Sequence, residues 1–182
     1  MEENFKQERI NLAAAFRWAA RLNMHEAVAN HFSLAVSDDG SQFLLNPIGL
    51  HFSEICARDL ILLDSNDSST MSQPNAPDPT AWAIHGAIHR NNPQARCILH
   101  VHPKYATILA CLEDKTMKPI DQNTMRFYEK VSIDNGYDGM GLGDEAERLS
   151  TILGNNSVML MGNHGVLTAA KTVAQAFDNL FY

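Results

Sequence analysis

The chain has 182 residues, of which 45% are hydrophobic and 19% charged, and its formal net charge is −7. This composition supports a buried core of ordinary size and argues against global disorder. An acidic surface repels phosphate backbones, and no cluster of lysine and arginine offsets that charge, so the sequence argues against nucleic-acid binding.

The cysteines and the N-terminus indicate where the protein works. Cys56, Cys97 and Cys111 are widely spaced and include no CxxC pair. An odd, unpaired count favours reduced thiols and therefore predicts a cytoplasmic protein. The acidic N-terminus lacks the basic and apolar regions of a signal peptide. No apolar run approaches the roughly 20 residues that a membrane span needs, so no membrane partner is expected.

Hydrophobic periodicity predicts alternating helices and strands. The first half is predicted to hold a helix, a hairpin, a third strand and a polar, proline-rich loop, at residues 5–22, 31–36 with 42–46, 60–64 and 65–79. The second half is predicted to hold helices at 80–91, 105–112, 145–153 and from 172 to the end, and strands at 95–101, 158–161 and 166–169. Residues 113–142 have no clear pattern.

The early hairpin has a consequence for the sheet. The turn Asp38-Asp39-Gly40-Ser41 suits a tight antiparallel connection, since Asp and Gly tolerate positive φ. A hairpin followed by interleaved helices and strands predicts a mixed sheet covered by helices, not an all-parallel one. No repeat or linker marks a second domain, so residues 1–182 are predicted to form one α/β domain.

The strongest local signal for chemistry is Leu99-His100-Val101-His102-Pro103. Residues i and i+2 of a strand point to the same face, so His100 and His102 are expected to project together. Their Cα atoms would lie ~6.5–7 Å apart, which lets two imidazoles converge on one ion. Imidazole suits zinc and the neighbouring first-row transition metals. The alternative is that His100 and His102 are ordinary strand histidines that bind no metal.

A third histidine follows another apolar strand. His164 lies between Gly162-Asn163 and Gly165, where glycine lets the backbone bend and approach closely. An ordinary turn residue is the alternative. Ligand sites in α/β sheets gather at strand ends, so the three histidines together predict a metal site.

His85 and His89 lie four residues apart on a predicted helix and therefore face one side of it. The pair lacks the glutamate of an HExxH zinc helix, because Gly86 occupies that position. Helix packing or support of nearby ligands is the favoured interpretation, with His85 as a candidate fourth ligand.

These motifs together resemble the class II aldolase/adducin family from about Arg9 to Tyr182. The matching segments, in order and spacing, are His31–Leu34, Leu45–Gly49, His85–His89, Ile98–Pro103 and Gly162–Val166. The resemblance implies a three-layer α/β/α domain with a central, mostly antiparallel sheet, commonly in a homotetramer. It also implies that His100, His102 and His164 bind a divalent metal, zinc first, with manganese or cobalt as alternatives.

The chain departs from the family pattern where the resemblance places acid/base and phosphate-binding groups. Ala81 stands where family aldolases have a glutamate. The phosphate-binding segments are altered to Asn30-His31, Ile48-Gly49 and Pro79-Thr80. The family's C-terminal tail is absent, and the last predicted helix stops at Tyr182 on an apolar face, which predicts a subunit contact or a lost tail.

These departures leave several functions open. One is a lyase that performs aldol cleavage or decarboxylation of a small, non-phosphorylated hydroxy-carbonyl compound through a metal-stabilised enediolate. Its acid/base would come from another group, and the candidates are Tyr128, Tyr137, His31 and Glu54. A second is a non-catalytic, adducin-like assembly or binding domain. A third is a structural zinc site that uses His85.

Overall fold

The computed structural model describes residues 4–136 and 141–182, which contain seven strands and six helices. The strands are β1 (His31–Ala35), β2 (Gln42–Leu45), β3 (Ile61–Asp64), β4 (Cys97–Val101), β5 (Val131–Asp134), β6 (Val158–Met161) and β7 (Gly165–Ala170). The helices are α1 (Lys6–Arg21), α2 (Pro79–Asn91), α3 (Lys104–Ala110), α4 (Gln122–Met125), α5 (Asp144–Leu153) and α6 (Val173–Phe181).

All seven strands join one sheet in the order β3-β2-β1-β4-β7-β6-β5. Every neighbouring pair is antiparallel except β5 and β6, which are parallel. The pairing of β1 with β4 sets His31 opposite His100. The register of the central strands therefore brings two histidines from distant parts of the sequence to one place.

Helices cover both faces of the sheet, and β4 shows how the faces divide. Cys97, Leu99 and Val101 pack into the core shared with α1 and α6. Ile98 packs into the opposite core, which is shared with α2 and α5. Because successive strand side chains alternate between faces, His100 lies on the α2/α5 side with Ile98. The predicted three-layer α/β/α architecture with a mostly antiparallel sheet is confirmed.

The predicted elements match the observed ones to within about three residues at each end, with one exception. The region predicted to have no clear pattern contains the short helix α4 and the edge strand β5. Within the polar loop, the structure adds a 3-10 turn at Ser68–Ser72. No described helix has both the length and the apolar character needed to cross a bilayer.

Candidate metal centre

Three histidines meet at one edge of the sheet, where β4 and β6 both end. His100 is the fourth residue of β4, His102 follows that strand, and His164 lies in the turn between β6 and β7. One nitrogen from each ring lies within 4.8 Å of the other two. The ring centroids are 4.6–4.9 Å apart. We call these residues the histidine triad; the sequence predicted that they would come together.

The turn that carries His164 depends on close backbone packing. Gly162 donates a backbone hydrogen bond to the carbonyl of Asp134 over 2.8 Å, and a Cβ at Gly162 would lie 2.6 Å from that oxygen. A Cβ at Gly165 would lie 2.5 Å from Cδ2 of His102. Both positions therefore require glycine, since a side chain at either one would displace a neighbouring strand or the His102 ring.

Hydrogen bonds fix how two triad rings are protonated. Nδ1 of His100 lies 3.1 Å from the carbonyl oxygen of Val166, and Nδ1 of His102 lies 2.6 Å from Oε2 of Glu26. A carbonyl and a carboxylate only accept, so each Nδ1 carries the proton and donates. In a neutral imidazole the other nitrogen, Nε2, then keeps a free lone pair.

These two lone pairs face each other, because Nε2 of His100 and Nε2 of His102 are 3.0 Å apart. Two unprotonated nitrogens at that distance repel unless a proton or a metal ion lies between them. Nitrogens bound at about 2.0–2.1 Å to one tetrahedral ion lie ~3.3 Å apart, close to the 3.0 Å between His100 and His102. A nitrogen of His164 lies within 4.8 Å of both. The residues present therefore fit a divalent metal with three nitrogen ligands.

Burial keeps two of the triad histidines, His100 and His164, in the neutral form that binds metals. Burial, followed by the neighbouring histidines, holds the pKa of His100 well below its usual value. Burial and then His102 also lower the pKa of His164. Neutral imidazole is the ligand form, so these histidines do not need to lose a proton to hold an ion at neutral pH.

The triad lines a cavity of about 220 Å³ between the sheet, α2 and α5. Its described wall also includes His31 and the acidic residues Asp78, Asp134 and Glu145, but no lysine or arginine. Asp134 is paired with Arg148, whose Nη1 lies 2.5 Å from Oδ1. The described wall is therefore rich in hydrogen-bond acceptors and poor in groups that would attract an anion.

The four candidate acid/base residues lie in different places. His31 is on the cavity wall, and its ring lies 4.8 Å from the ring of His100. Glu54 is exposed and Tyr128 is half-exposed, and neither belongs to the described wall. Tyr137 lies outside the described residues. Within the described chain, His31 alone of these candidates is beside the triad.

His85, the candidate fourth ligand, has both ring nitrogens close to other side chains. Its Nε2 lies 2.7 Å from Nδ1 of His31, and its Nδ1 lies 2.5 Å from Oγ of Ser33. Both ring nitrogens are thus engaged in hydrogen bonds, and His85 is not grouped with the triad. It supports His31, which is the supporting role that the helix spacing favoured.

Ala81 is fully buried in an apolar cluster with Phe43 and Leu63. It is not part of the described cavity wall, where α2 contributes Thr80 and Ile84. Ile48 is 59% exposed and is likewise absent from the described wall. In this structure neither position supplies a polar group to the cavity.

Sequence reasoning missed the acidic residues of the site, which are Glu26, Asp78, Asp134 and Glu145. Glu26 lies in the connection between α1 and β1, and Asp134 ends the edge strand β5. Glu26 reaches His102 from 76 positions away in the sequence, so no local pattern marks it. Asp134 could have been found only after recognising β5, which is short and lies beside a single neighbouring strand.

Comparison with known proteins identifies the family that this fold and site define. The profile described as Class II Aldolase and Adducin N-terminal domain matches residues 10–182. A protein of Pseudomonas aeruginosa named for the class 2 aldolases is 30% identical over 176 residues, with 96% of this chain and 67% of that protein covered. The chain therefore belongs to the class II aldolase and adducin family.

Solved structures agree with this assignment. An aldolase II superfamily protein from Pseudomonas syringae superposes with a TM-score of 0.88 at 32% identity, covering all of this chain and 73% of that one. An L-fuculose 1-phosphate aldolase from Glaciozyma antarctica superposes with a TM-score of 0.76 at 26% identity, covering 97% and 68%.

Relatives in the family have different functions. A decarboxylase of Streptomyces niveus is 27% identical over 166 residues, which cover 90% of this chain and 61% of that protein. Rat alpha-adducin is 28% identical over 174 residues, covering 93% and 23%. Because relatives include both a decarboxylase and an adducin, membership alone does not assign a reaction.

Proposed function

We propose that the histidine triad holds one divalent metal ion, zinc first and manganese or cobalt otherwise. The observation that carries this proposal is the 3.0 Å distance between Nε2 of His100 and Nε2 of His102. The Nδ1 atom of each ring faces an oxygen that only accepts hydrogen bonds, so in each neutral ring Nε2 is the nitrogen without a proton. The carboxylate of Glu26 behind His102 repeats a common arrangement, in which a carboxylate orients a metal-bound imidazole and raises its basicity. Three protein ligands leave a coordination position for a small molecule.

We further propose that the protein is a carbon–carbon lyase for a small, non-phosphorylated hydroxy-carbonyl compound. A bound divalent ion supplies Lewis-acid chemistry, which stabilises negative charge that develops on a substrate oxygen. Aldol cleavage and decarboxylation both develop such charge. The name of the Streptomyces decarboxylase and that of the Glaciozyma aldolase support this class of reaction.

The cavity wall supports the choice of a non-phosphorylated substrate. The described wall carries the carboxylates of Asp78, Asp134 and Glu145, and no described lysine or arginine lines it to offset a phosphate dianion. Arg148 pairs with both Asp134 and Glu145, so one positive charge beside three carboxylates still leaves this region negative. A volume of about 220 Å³ suits a compound of a few carbon atoms. His31, which lies on that wall, is the described group best placed to receive a proton or hydrogen bond from the substrate.

A non-catalytic, adducin-like role is the second candidate, and Ala81 favours it. The family's usual glutamate is replaced there by a residue that can neither ligate nor transfer a proton. An adducin-like domain would use its surface for assembly and leave the cavity without a reaction. A homo-oligomer is compatible with either role.

One assay separates the two candidates. Zinc-loaded protein is incubated with a panel of short hydroxy-keto acids and their phosphorylated counterparts, and products are followed by proton NMR and carbon dioxide release. The lyase proposal expects turnover of a non-phosphorylated compound that is lost in the His100→Ala variant. If a fully metal-loaded protein leaves the whole panel unchanged, the non-catalytic role is favoured.

A further inference from the structure

A continuous chain of buried hydrogen bonds runs from the end of α2 to the cavity wall. Nδ1 of His89 lies 2.7 Å from the carbonyl oxygen of Ala95, and Nε2 of His89 lies 2.8 Å from Oγ of Ser33. The same Oγ is 2.5 Å from Nδ1 of His85, whose Nε2 is 2.7 Å from Nδ1 of His31. All four side chains are buried. We call His89, Ser33, His85 and His31 the histidine relay.

The carbonyl at the far end fixes the direction of the first links. The oxygen of Ala95 has no proton to give, so Nδ1 of His89 donates to it. In neutral His89 the remaining nitrogen, Nε2, is then an acceptor. The hydroxyl of Ser33 must therefore donate its only proton to His89.

The remaining hydrogen bonds of the relay, between Ser33 and the cavity, have their directions fixed in the same way. With its proton directed at His89, Oγ of Ser33 accepts from Nδ1–H of His85. Neutral His85 then accepts at Nε2, so His31 must donate from its Nδ1. His31 is left with its proton on Nδ1 and a bare lone pair on Nε2.

Burial holds the relay histidines in the neutral form that this logic requires. Burial is the main cause that lowers the pKa of His89 to about 3, and the side chain of His31 is likewise buried. Burial, followed by His31 and His89, also lowers the pKa of His85 well below its usual value. An extra proton anywhere in the relay would place a charge where no described acidic side chain is hydrogen-bonded to it.

The location of His31 gives the lone pair a function. His31 is paired with His100 across β1 and β4, its ring is 4.8 Å from that of His100, and it lines the same cavity as the triad. Its Nδ1 is occupied by His85, so Nε2 is the ring nitrogen left for a ligand in the cavity.

We infer that Ser33, His85 and His89 are positioning residues that lock His31 in the Nδ1–H tautomer, so that its Nε2 accepts a hydrogen bond from a ligand hydroxyl beside the triad. The binding of a ligand hydroxyl by His31 rests on the proposed function, whereas the tautomer of His31 does not. A carboxylate or phosphate oxygen at this point would meet a lone pair and be disfavoured, whereas a hydroxyl would be held. The relay therefore selects for a hydroxyl group at the substrate position next to His31.

The tautomer is tested directly by nitrogen-15 NMR of the full chain, labelled at histidine and loaded with diamagnetic zinc. His31→Gln, His85→Gln and His89→Gln variants assign the ring signals. The relay predicts a protonated, pyrrole-type Nδ1 and an unprotonated, pyridine-type Nε2 for each of the three histidines at pH 7.5. A protonated Nε2 on His31 would overturn the inference.

A matched pair of variants tests whether the relay sets this tautomer. Ser33→Ala removes the hydroxyl, so the His31 signals are expected to shift toward the average of two tautomers. Ser33→Thr retains a hydroxyl and is expected to preserve the wild-type signals. Unchanged His31 signals in a folded Ser33→Ala protein would show that the relay does not control His31. If either variant fails to fold, the wild-type spectrum still decides the tautomer.

The hydroxyl step has its own probe. Hydroxyacetone carries a hydroxyl beside a carbonyl, and methoxyacetone replaces that hydroxyl with an ether. Hydroxyacetone is expected to shift the Nε2 signal of His31 at concentrations where methoxyacetone does not. Equal effects of the two compounds would refute the hydroxyl assignment. None of these readouts measures turnover, so a failed lyase assay and a failed relay are distinguishable.

Discussion

Oε2 of Glu26 accepts a hydrogen bond of 2.6 Å from Nδ1 of His102, although the two residues are 76 positions apart in the sequence. The contact fixes the tautomer of His102 and turns its Nε2 toward His100. Glu26 is itself largely exposed, with 63% of its side chain accessible. It can therefore be changed without creating a cavity in the core.

Glu26 gives the first prediction. Glu26→Ala removes the carboxylate behind His102 and is expected to weaken zinc affinity by about 10–100-fold, since supporting carboxylates orient metal-bound histidines. Glu26→Gln keeps an acceptor without the charge and should fall between wild type and alanine. Competition with a chromogenic chelator measures the affinities. Glu54→Gln, which changes an exposed glutamate away from the cavity, is the control and should match wild type.

Gly165 gives a steric prediction. A methyl group there would meet the His102 ring at 2.5 Å and the carbonyl of Val101 at 2.6 Å. Gly165→Ala should therefore displace His102, lower zinc affinity by on the order of tenfold or more, and reduce stability by about 1–3 kcal/mol. Chelator competition and chemical denaturation measure the two effects.

Gly154→Ala is the matched control for this variant. Gly154 caps α5 at a positive φ of 51°, and a Cβ there would contact only the carbonyl of Thr151, at 3.7 Å. The backbone strain of an alanine at this φ should reduce stability by roughly 1–3 kcal/mol, as in Gly165→Ala. Zinc affinity should be unchanged. Equal zinc affinities in Gly165→Ala and Gly154→Ala would contradict the proposed place of His102.

Sequence periodicity was enough to predict the centre of the fold. The strand period put His100 and His102 on one face, and the glycine-flanked turn marked His164. The short edge strand β5 was missed because Val131–Asp134 is only four residues long, although its apolar and polar residues alternate and the turn dipeptide Asn135-Gly136 follows it. So short a run is a weak local signal, and its parallel pairing with β6 is a tertiary contact.

The contacts that support the site could not be predicted from the sequence, because they join residues that are far apart in the chain. The spacing of His85 and His89 showed that they share a helix face, but not that Ser33 would lie between them. That contact requires β1 to pack under α2, which is a tertiary arrangement. Glu26 lies in a loop, where no periodicity indicates the direction of a side chain.

The pH dependence of stability supplies a prediction for His89. Burial lowers its folded-state pKa to about 3, below the value of about 6.5 for an unfolded chain. As the pH falls below 6.5, the unfolded state binds the proton first, so this contribution to stability is complete above 6.5 and is lost toward pH 3. The slope from one such group is at most about 1.4 kcal/mol per pH unit.

His89→Gln removes this contribution while keeping one donor and one acceptor. The stability advantage of wild type over the variant should therefore shrink as the pH is lowered from 7.5 to 4.5. Urea denaturation at several pH values measures both proteins. Parallel pH curves for the two would show that His89 is not held neutral in the folded state.

Ala81 yields a prediction about restoring the family's glutamate. Ala81 is 0% exposed among apolar side chains, so Ala81→Glu would bury a carboxylate without a described partner. We expect a loss of about 3 kcal/mol or more in stability and no gain in lyase activity. Ala14→Glu, the same change at an exposed position of α1, should be nearly neutral. A stable Ala81→Glu protein with new activity would contradict this placement of Ala81.

The metal content of the purified protein shows whether the histidine triad holds an ion. Wild type and His100→Ala are purified without chelators, and zinc, manganese, cobalt and iron are quantified per chain, with His89→Gln as a buried histidine control. We expect about one divalent ion per chain in wild type and His89→Gln, and a loss of most of it in His100→Ala. A wild-type content far below one per chain, or the same content in His100→Ala, would contradict the proposed metal centre.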